Sequence, residues 1–78
     1  MVELKKVLTD IAKAIVDDPD GVEVSETVNG NDVELVLHVS EDDMGKVIGR
    51  HGKIAKAIRL VMKSAANIVG KRVTVEIR

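Results

Sequence analysis

Apolar residues recur along this chain with a period that changes three times in 78 residues, and each change demands a different backbone. Leu4, Val7, Leu8, Ile11, Ala12 and Ile15 follow the i, i+3, i+4, i+7 spacing of one helical face, which predicts an amphipathic helix from about Glu3 to Val16. Asp17-Asp18-Pro19-Asp20-Gly21 ends it, since proline cannot continue a helix and glycine permits the turn. From Val22 the period falls to two. Val22, Val24 and Val28 alternate with Glu23, Ser25 and Thr27, and Val33, Leu35, Leu37 and Val39 alternate with Glu34, Val36 and His38, as half-buried strands do. Between them Asn29-Gly30 predicts a hairpin turn, with a longer loop over Asn29 to Asp32 as the alternative. Ser40 and Asp43 have the spacing of a capping box, opening a short helix that runs to about Ile48. The helical period returns at Ile54, Ile58, Val61, Met62, Ala65, Ile68 and Val69, and Gly70 closes this longer helix. Val73, Val75 and Ile77 then mark a last strand.

The expected fold is therefore α+β, in the order α-β-β-α-α-β, with a three-stranded sheet packed on helices and one domain over 1–78. At this size the core is thin. No apolar run approaches the ~20 residues of a membrane span, no secretory signal opens the chain, and no cysteine is present for disulfides or thiolate metal sites, so the expected location is cytoplasmic. Neither histidine has catalytic or metal-binding partners at a useful spacing, and no cofactor is expected. A Gly-Lys pair at Gly52-Lys53 is not a nucleotide-binding loop, because only two residues separate the glycines and Ile54 follows the lysine.

Charge is strongly polarised along the chain. Residues 1–43 hold three lysines against twelve acids, whereas residues 44–78 hold nine Lys and Arg against Glu76 alone. Such asymmetry fits either a face built for a polyanion or two parts that attract each other in the fold. The basic part contains Val47-Ile48-Gly49-Arg50-His51-Gly52-Lys53, a four-residue turn between two helices. Gly49 is expected in a left-handed conformation that closes the short helix. Gly52 leaves no side chain where the long helix begins, so a sugar-phosphate backbone can approach its amides and dipole. Arg50, His51 and Lys53 add positive charge at that place. Contacts of this kind clamp backbone and carry little sequence information.

These residues resemble the KH family, whose hallmark is a GxxG loop between two helices, and the element order resembles its type II arrangement. In length, in the Asp-Asp-Pro-Asp segment and in Gly52-Lys53-Ile54-Ala55-Lys56-Ala57-Ile58-Arg59, the chain is similar end to end to the small bacterial single-KH proteins of the KhpA family. The resemblance implies an RNA-binding protein, not an enzyme, serving as an RNA chaperone or post-transcriptional regulator. Single-stranded RNA would cross the loop with about four nucleotides, their bases in an aliphatic groove beside the two helices and the neighbouring strand. Single-stranded DNA is also bound by some KH domains. The residues it assigns to RNA are Val47, Ile48, Gly49, Arg50, His51, Gly52, Lys53, Ile54 and Lys56. Many KH domains carry isoleucine three residues after the second glycine, whereas here Ala55 stands there and Ile54 precedes it. Ile54 and Ile58 fit either that groove or the core.

Lys53, Lys56, Lys63 and Asn67 share one side of the long helix with Arg59 nearby, as a phosphate track or a solvated face. Leu60 interrupts those polar positions, either as an isolated exposed residue or as a partner anchor. The resemblance implies a homodimer, or a heterodimer with a KhpB-like protein, with Leu60 in or near the contact. The competing reading is a protein-protein adaptor in which RNA is incidental.

Overall fold

A computed structural model describes residues 3–78; the first two residues of the domain expected over 1–78 lie outside the described residues. Helix α1 (Leu4–Ile15) leads through a single 3-10 turn at Pro19–Gly21 into strands β1 (Glu23–Asn29) and β2 (Asp32–His38). A second such turn (Glu41–Asp43) precedes the short helix α2 (Met44–Ile48), a tight non-helical turn (Arg50–Gly52) joins it to the long helix α3 (Lys53–Ile68), and β3 (Arg72–Ile77) follows. This is the expected α-β-β-α-α-β order, consistent with a type II KH fold.

The sheet order is β1-β2-β3, with β1 antiparallel and β3 parallel to the central β2. A hairpin can join the first pair, but the parallel pair needs a crossover, which α2 and α3 supply. Val33, Leu35 and Leu37 of β2 all turn inward and meet Val75 of β3 and the buried stripes of α1 and α3. Leu8, Leu35, Leu37, Val47 and Met62 are the largest fully buried side chains. With no ring to fill space, aliphatic contact alone closes this core, each such side chain contributing about 1.5–3 kcal/mol.

Three local expectations differ from the structure. In the hairpin, Asn29 pairs with Asp32, so Gly30-Asn31 is the two-residue turn and Asn29 belongs to the strand. That register sets Val28 opposite Val33 and Val24 opposite Leu37, keeping the apolar residues of both strands on one face. On α3 the buried residues are Ala55, Ile58, Met62 and Ala66, while Ile54, Val61 and Ile68 stay exposed. Two alanines let the helix approach the sheet closely, which turns the bulky β-branched residues out to its flank. The helix ends as expected: the Gly70 amide donates to the Asn67 carbonyl and the Lys71 amide to Ala66, the paired bonds of a Schellman motif.

The capping box does not form. Neither Ser40 nor Asp43 bonds to its own helix terminus. Instead Ser40 Oγ donates to Asp18, and the Asp43 carboxylate accepts the backbone amides of Asp17 and Asp18 at 3.2 and 3.0 Å. Lys46 spans the same junction, 2.8 Å from Asp17 and 3.7 Å from Asp43. Asp43 is only 2% exposed and is the buried charge among the described residues. Burial pushes its carboxyl up, but the two amides and then Lys46 outweigh that and hold it below the usual carboxylate range. The Lys46 ammonium is held up in turn, chiefly by Asp17 and then by Asp43.

Because the folded carboxyl of Asp43 titrates below the unfolded one, the stability it contributes is complete above the unfolded value near 3.8 and is lost as pH falls through the lower folded value. Asp43→Asn keeps the shape but replaces one acceptor by a donor facing an amide. Thermal unfolding followed by circular dichroism from pH 7 to 3 is expected to show a lower midpoint for the variant at pH 7 and a shallower loss below pH 4. Equal midpoints at pH 7 would remove this junction from the account of stability.

Candidate nucleic-acid interface

The α2–α3 connection has positive φ at three of its four residues: Gly49 (+74°), His51 (+58°) and Gly52 (+73°). Gly49 combines that φ with ψ 175°, so it is not the expected left-handed helical cap but the mirror-extended region that glycine alone occupies readily. A Cβ there would also collide with the Ile54 side chain and lie 2.9 Å from the Ile54 nitrogen. Gly49 is thus required by the fold beneath the loop. At Gly52 the left-handed conformation starts α3, and nothing lies within 4 Å of where a Cβ would stand, so this glycine opens onto free space. No side chain caps α3, which leaves its positive end facing the same space. His51 holds a left-handed backbone that histidine tolerates better than most residues.

Arg50, His51, Lys53 and Lys56 are all exposed around this opening. Ile48 and Ile54, each 38% exposed, border the loop and offer apolar surface beside the charge. Val47 does not join them. It is fully buried, because α2 has only five residues and must turn one side chain into the core to hold its place. Its expected contact with RNA is replaced by support from below.

The charge polarity resolves into geometry. Lys46 and Arg72 are the basic residues of 44–78 that pair with acids of 1–43: Lys46 with Asp17 and Asp43, and Arg72 with Asp32. None of the ion pairs among the described residues involves Arg50, Lys53, Lys56, Arg59 or Lys63. Mutual neutralisation therefore does not account for the basic part, and α3 keeps a row of uncompensated cations leading away from the loop.

Arg59 departs from that row. Its Nε–H donates to the Val75 carbonyl at 3.2 Å, tying α3 to the outer edge of β3. Only a helical projection hints at this, since Arg59 stands closer to the buried stripe than Lys56 or Lys63. The exposed apolar residues form a second feature of α3: Leu60 is 66% exposed, and Val61 (49%) and Ile68 (76%) continue the flank begun by Ile54. A cavity of about 650 Å³ between α1, β1 and the end of α3 lies at the far pole from the loop. Its walls carry both signs of charge, including the Lys6–Asp10 pair, so it does not extend the cationic face. Among the described residues no cluster of acids and histidines has metal-binding geometry, and no helix is long and apolar enough to cross a membrane.

Residues 5–77 match the family model described as KhpA/KhpB, KH domain. The RNA-binding protein KhpA of Clostridium acetobutylicum is 54% identical over 74 residues, covering 95% of this chain and 99% of that protein. The RNA-binding protein KhpA of Aquifex aeolicus is 39% identical over 77 residues, covering 99% of this chain and 98% of that one. Among solved structures, Era in complex with MgGDPNP and nucleotides 1506–1542 of 16S ribosomal RNA superposes with a TM-score of 0.65 at 16% identity. That likeness, which shows the fold alone, covers 95% of this chain but only 28% of the Era chain. The matched family is not an enzyme family. By a family match over nearly its whole length, on a glycine loop set between two helices and a mixed three-stranded sheet, this chain belongs to the KhpA/KhpB KH-domain family.

Proposed function

We propose that this chain is a single KH domain over 1–78 that binds single-stranded RNA in the cytoplasm, clamping the sugar-phosphate backbone at Gly49–Gly52. The observation that carries this reading is the pairing of an open approach at Gly52 with cations that no acid neutralises. Arg50, His51, Lys53 and Lys56 supply charge to phosphates, and the positive end of α3 adds its dipole. Ile48 and Ile54 give aliphatic surface for bases, and Val47 supports the loop from the core. The name RNA-binding protein carried by the KhpA relatives favours RNA over single-stranded DNA. Without aromatic residues the domain forgoes the ~1–3 kcal/mol per base that stacking can add, so one copy binds weakly and with little selectivity at physiological salt. That suits a chaperone or regulator that must release its RNA.

A second copy, or a KhpB-like partner, raises the affinity by avidity. Support comes from the exposed flank of α3, where Ile54 and Ile68 stand equally far in sequence from Val61, with Leu60 alongside. Two α3 helices crossing antiparallel at Val61 set Ile54 of one copy against Ile68 of the other, a self-complementary contact of the kind a two-fold dimer needs.

Fluorescence anisotropy of short single-stranded RNAs across a salt series tests the clamp. Wild type is expected to bind with a negative salt slope, and Arg50→Asp/His51→Asp to lose at least about tenfold while remaining folded. Equal binding by the two proteins, or none by either, hands the lead to the adaptor reading. Gly49→Ala is expected to cost about 1–3 kcal/mol of folding stability through backbone strain, read by denaturant unfolding. For self-association, Leu60→Lys and Val61→Lys are each expected to shift sedimentation toward monomer; unchanged sedimentation of both would falsify the α3 contact.

A further inference from the structure

We propose that two copies joined through α3 bridge two RNA segments running in opposite directions, and so bring strands together for pairing. This rests on the clamp and the α3 contact proposed above, and concerns what two clamps do jointly that one cannot. The two flanks of α3 have different chemistry. At about 100° per residue, Lys56, Arg59 and Lys63 stand about 140–160° around the helix from Val61, whereas Ile54 and Ile68 share the side of Val61. The bond from Arg59 to the Val75 carbonyl fixes the cationic flank on the side of β3. None of the ion pairs among the described residues engages these three cations. A second copy seated on Ile54, Val61 and Ile68 therefore covers the apolar flank and leaves the cations of both copies open.

Symmetry then decides how the two clamps relate. Crossing antiparallel at Val61, the two α3 helices carry their N-termini, and with them Gly49–Gly52, to opposite ends of the pair, about 24 Å apart along the helix axis. The two-fold axis lies perpendicular to α3, so a strand laid along the cation row of one copy runs antiparallel to the strand on the other. About four nucleotides fill one loop, and one continuous strand fills both only by turning back on itself. Two separate strands of opposite direction fill both without a bend, and opposite direction is what base pairing requires. Held on one body, they meet at an effective concentration on the order of millimolar rather than at their concentration in solution. The weak grip of each clamp then lets the paired product leave.

Annealing of two complementary single-stranded RNAs, one carrying a donor dye and the other an acceptor, is followed by energy transfer. Wild type is compared with Val61→Lys, Ile68→Lys and Arg50→Asp/His51→Asp, each checked for native circular dichroism. Sedimentation reports association, and anisotropy at low salt reports binding of a uridine tetranucleotide, which fills one clamp alone. Wild type is expected to raise the annealing rate about tenfold, and the gain to fall again once protein is in excess, because each strand then occupies a pair of its own. Val61→Lys and Ile68→Lys are expected to sediment as monomers, to hold the tetranucleotide at least as well as wild type, and to lose the acceleration although each adds positive charge. Arg50→Asp/His51→Asp is expected to lose binding and acceleration together. Monomeric Val61→Lys that anneals as fast as wild type overturns bridging, marking simple charge screening, and so does wild type that binds the tetranucleotide without changing the annealing rate; either result leaves the clamp standing. Wild type that sediments as a monomer removes the α3 contact and bridging but not the clamp. Failure of wild type to bind the tetranucleotide overturns the RNA-binding reading as well.

Discussion

Asp43 holds together two parts of the chain that neither helix propensity nor sheet pairing would bring into register. Helix α2 is five residues long, far below the length at which a helix persists by its own hydrogen bonds. It stays in place because Val47 enters the core at one end and the Asp43 carboxylate grips the Asp17 and Asp18 amides at the other. The junction is fully satisfied: no buried side-chain polar atom among the described residues lacks a partner. A buried carboxylate is costly unless it is bonded in this way, and once bonded it is directional where apolar packing is not. The orientation of α2 fixes where Gly49 starts, and so the placement of the loop depends on a carboxylate at the opposite end of α2.

The same junction explains how opposite charges coexist in a small domain without cancelling. Of the acids of the first part, Asp17 and Asp43 meet Lys46, Asp32 meets Arg72, and Asp10 is answered within α1 by Lys6. The cations of the loop and of α3 project from a helix whose other face is committed to the core, so they have no acid within reach. Polarity along the sequence becomes polarity across the molecule because α3, about 24 Å long, carries Lys53, Lys56, Arg59 and Lys63 and no acid on one rigid body.

Periodicity makes the elements legible because burial on one face of a helix or strand repeats at a spacing the residues themselves display. It fails where small or dual-purpose residues decide. Ala55 and Ala66 look neutral in a sequence, yet they set the depth of α3 and expel Ile54, Val61 and Ile68 to the flank. Ser40 and Asp43 have capping-box spacing, but a partner 25 residues away competes for the carboxylate and prevails in a buried setting. The turn residue moves by one position because pairing Val28 with Val33 outweighs the preference of Asn-Gly for the turn centre.

For the candidate site the division is similar. The glycine loop between two helices and its basic residues follow from residue types and short spacings, which are local properties. The mirror-extended backbone of Gly49, the burial of Val47 and the bond from Arg59 to the edge of β3 do not. Each depends on atoms brought together from distant parts of the chain. The sequence by itself determined which elements form and where positive charge collects, since both are written in nearest-neighbour chemistry. Only the tertiary structure decided which faces stay open and which polar groups are already engaged, because those outcomes come from competition among partners that meet only after folding.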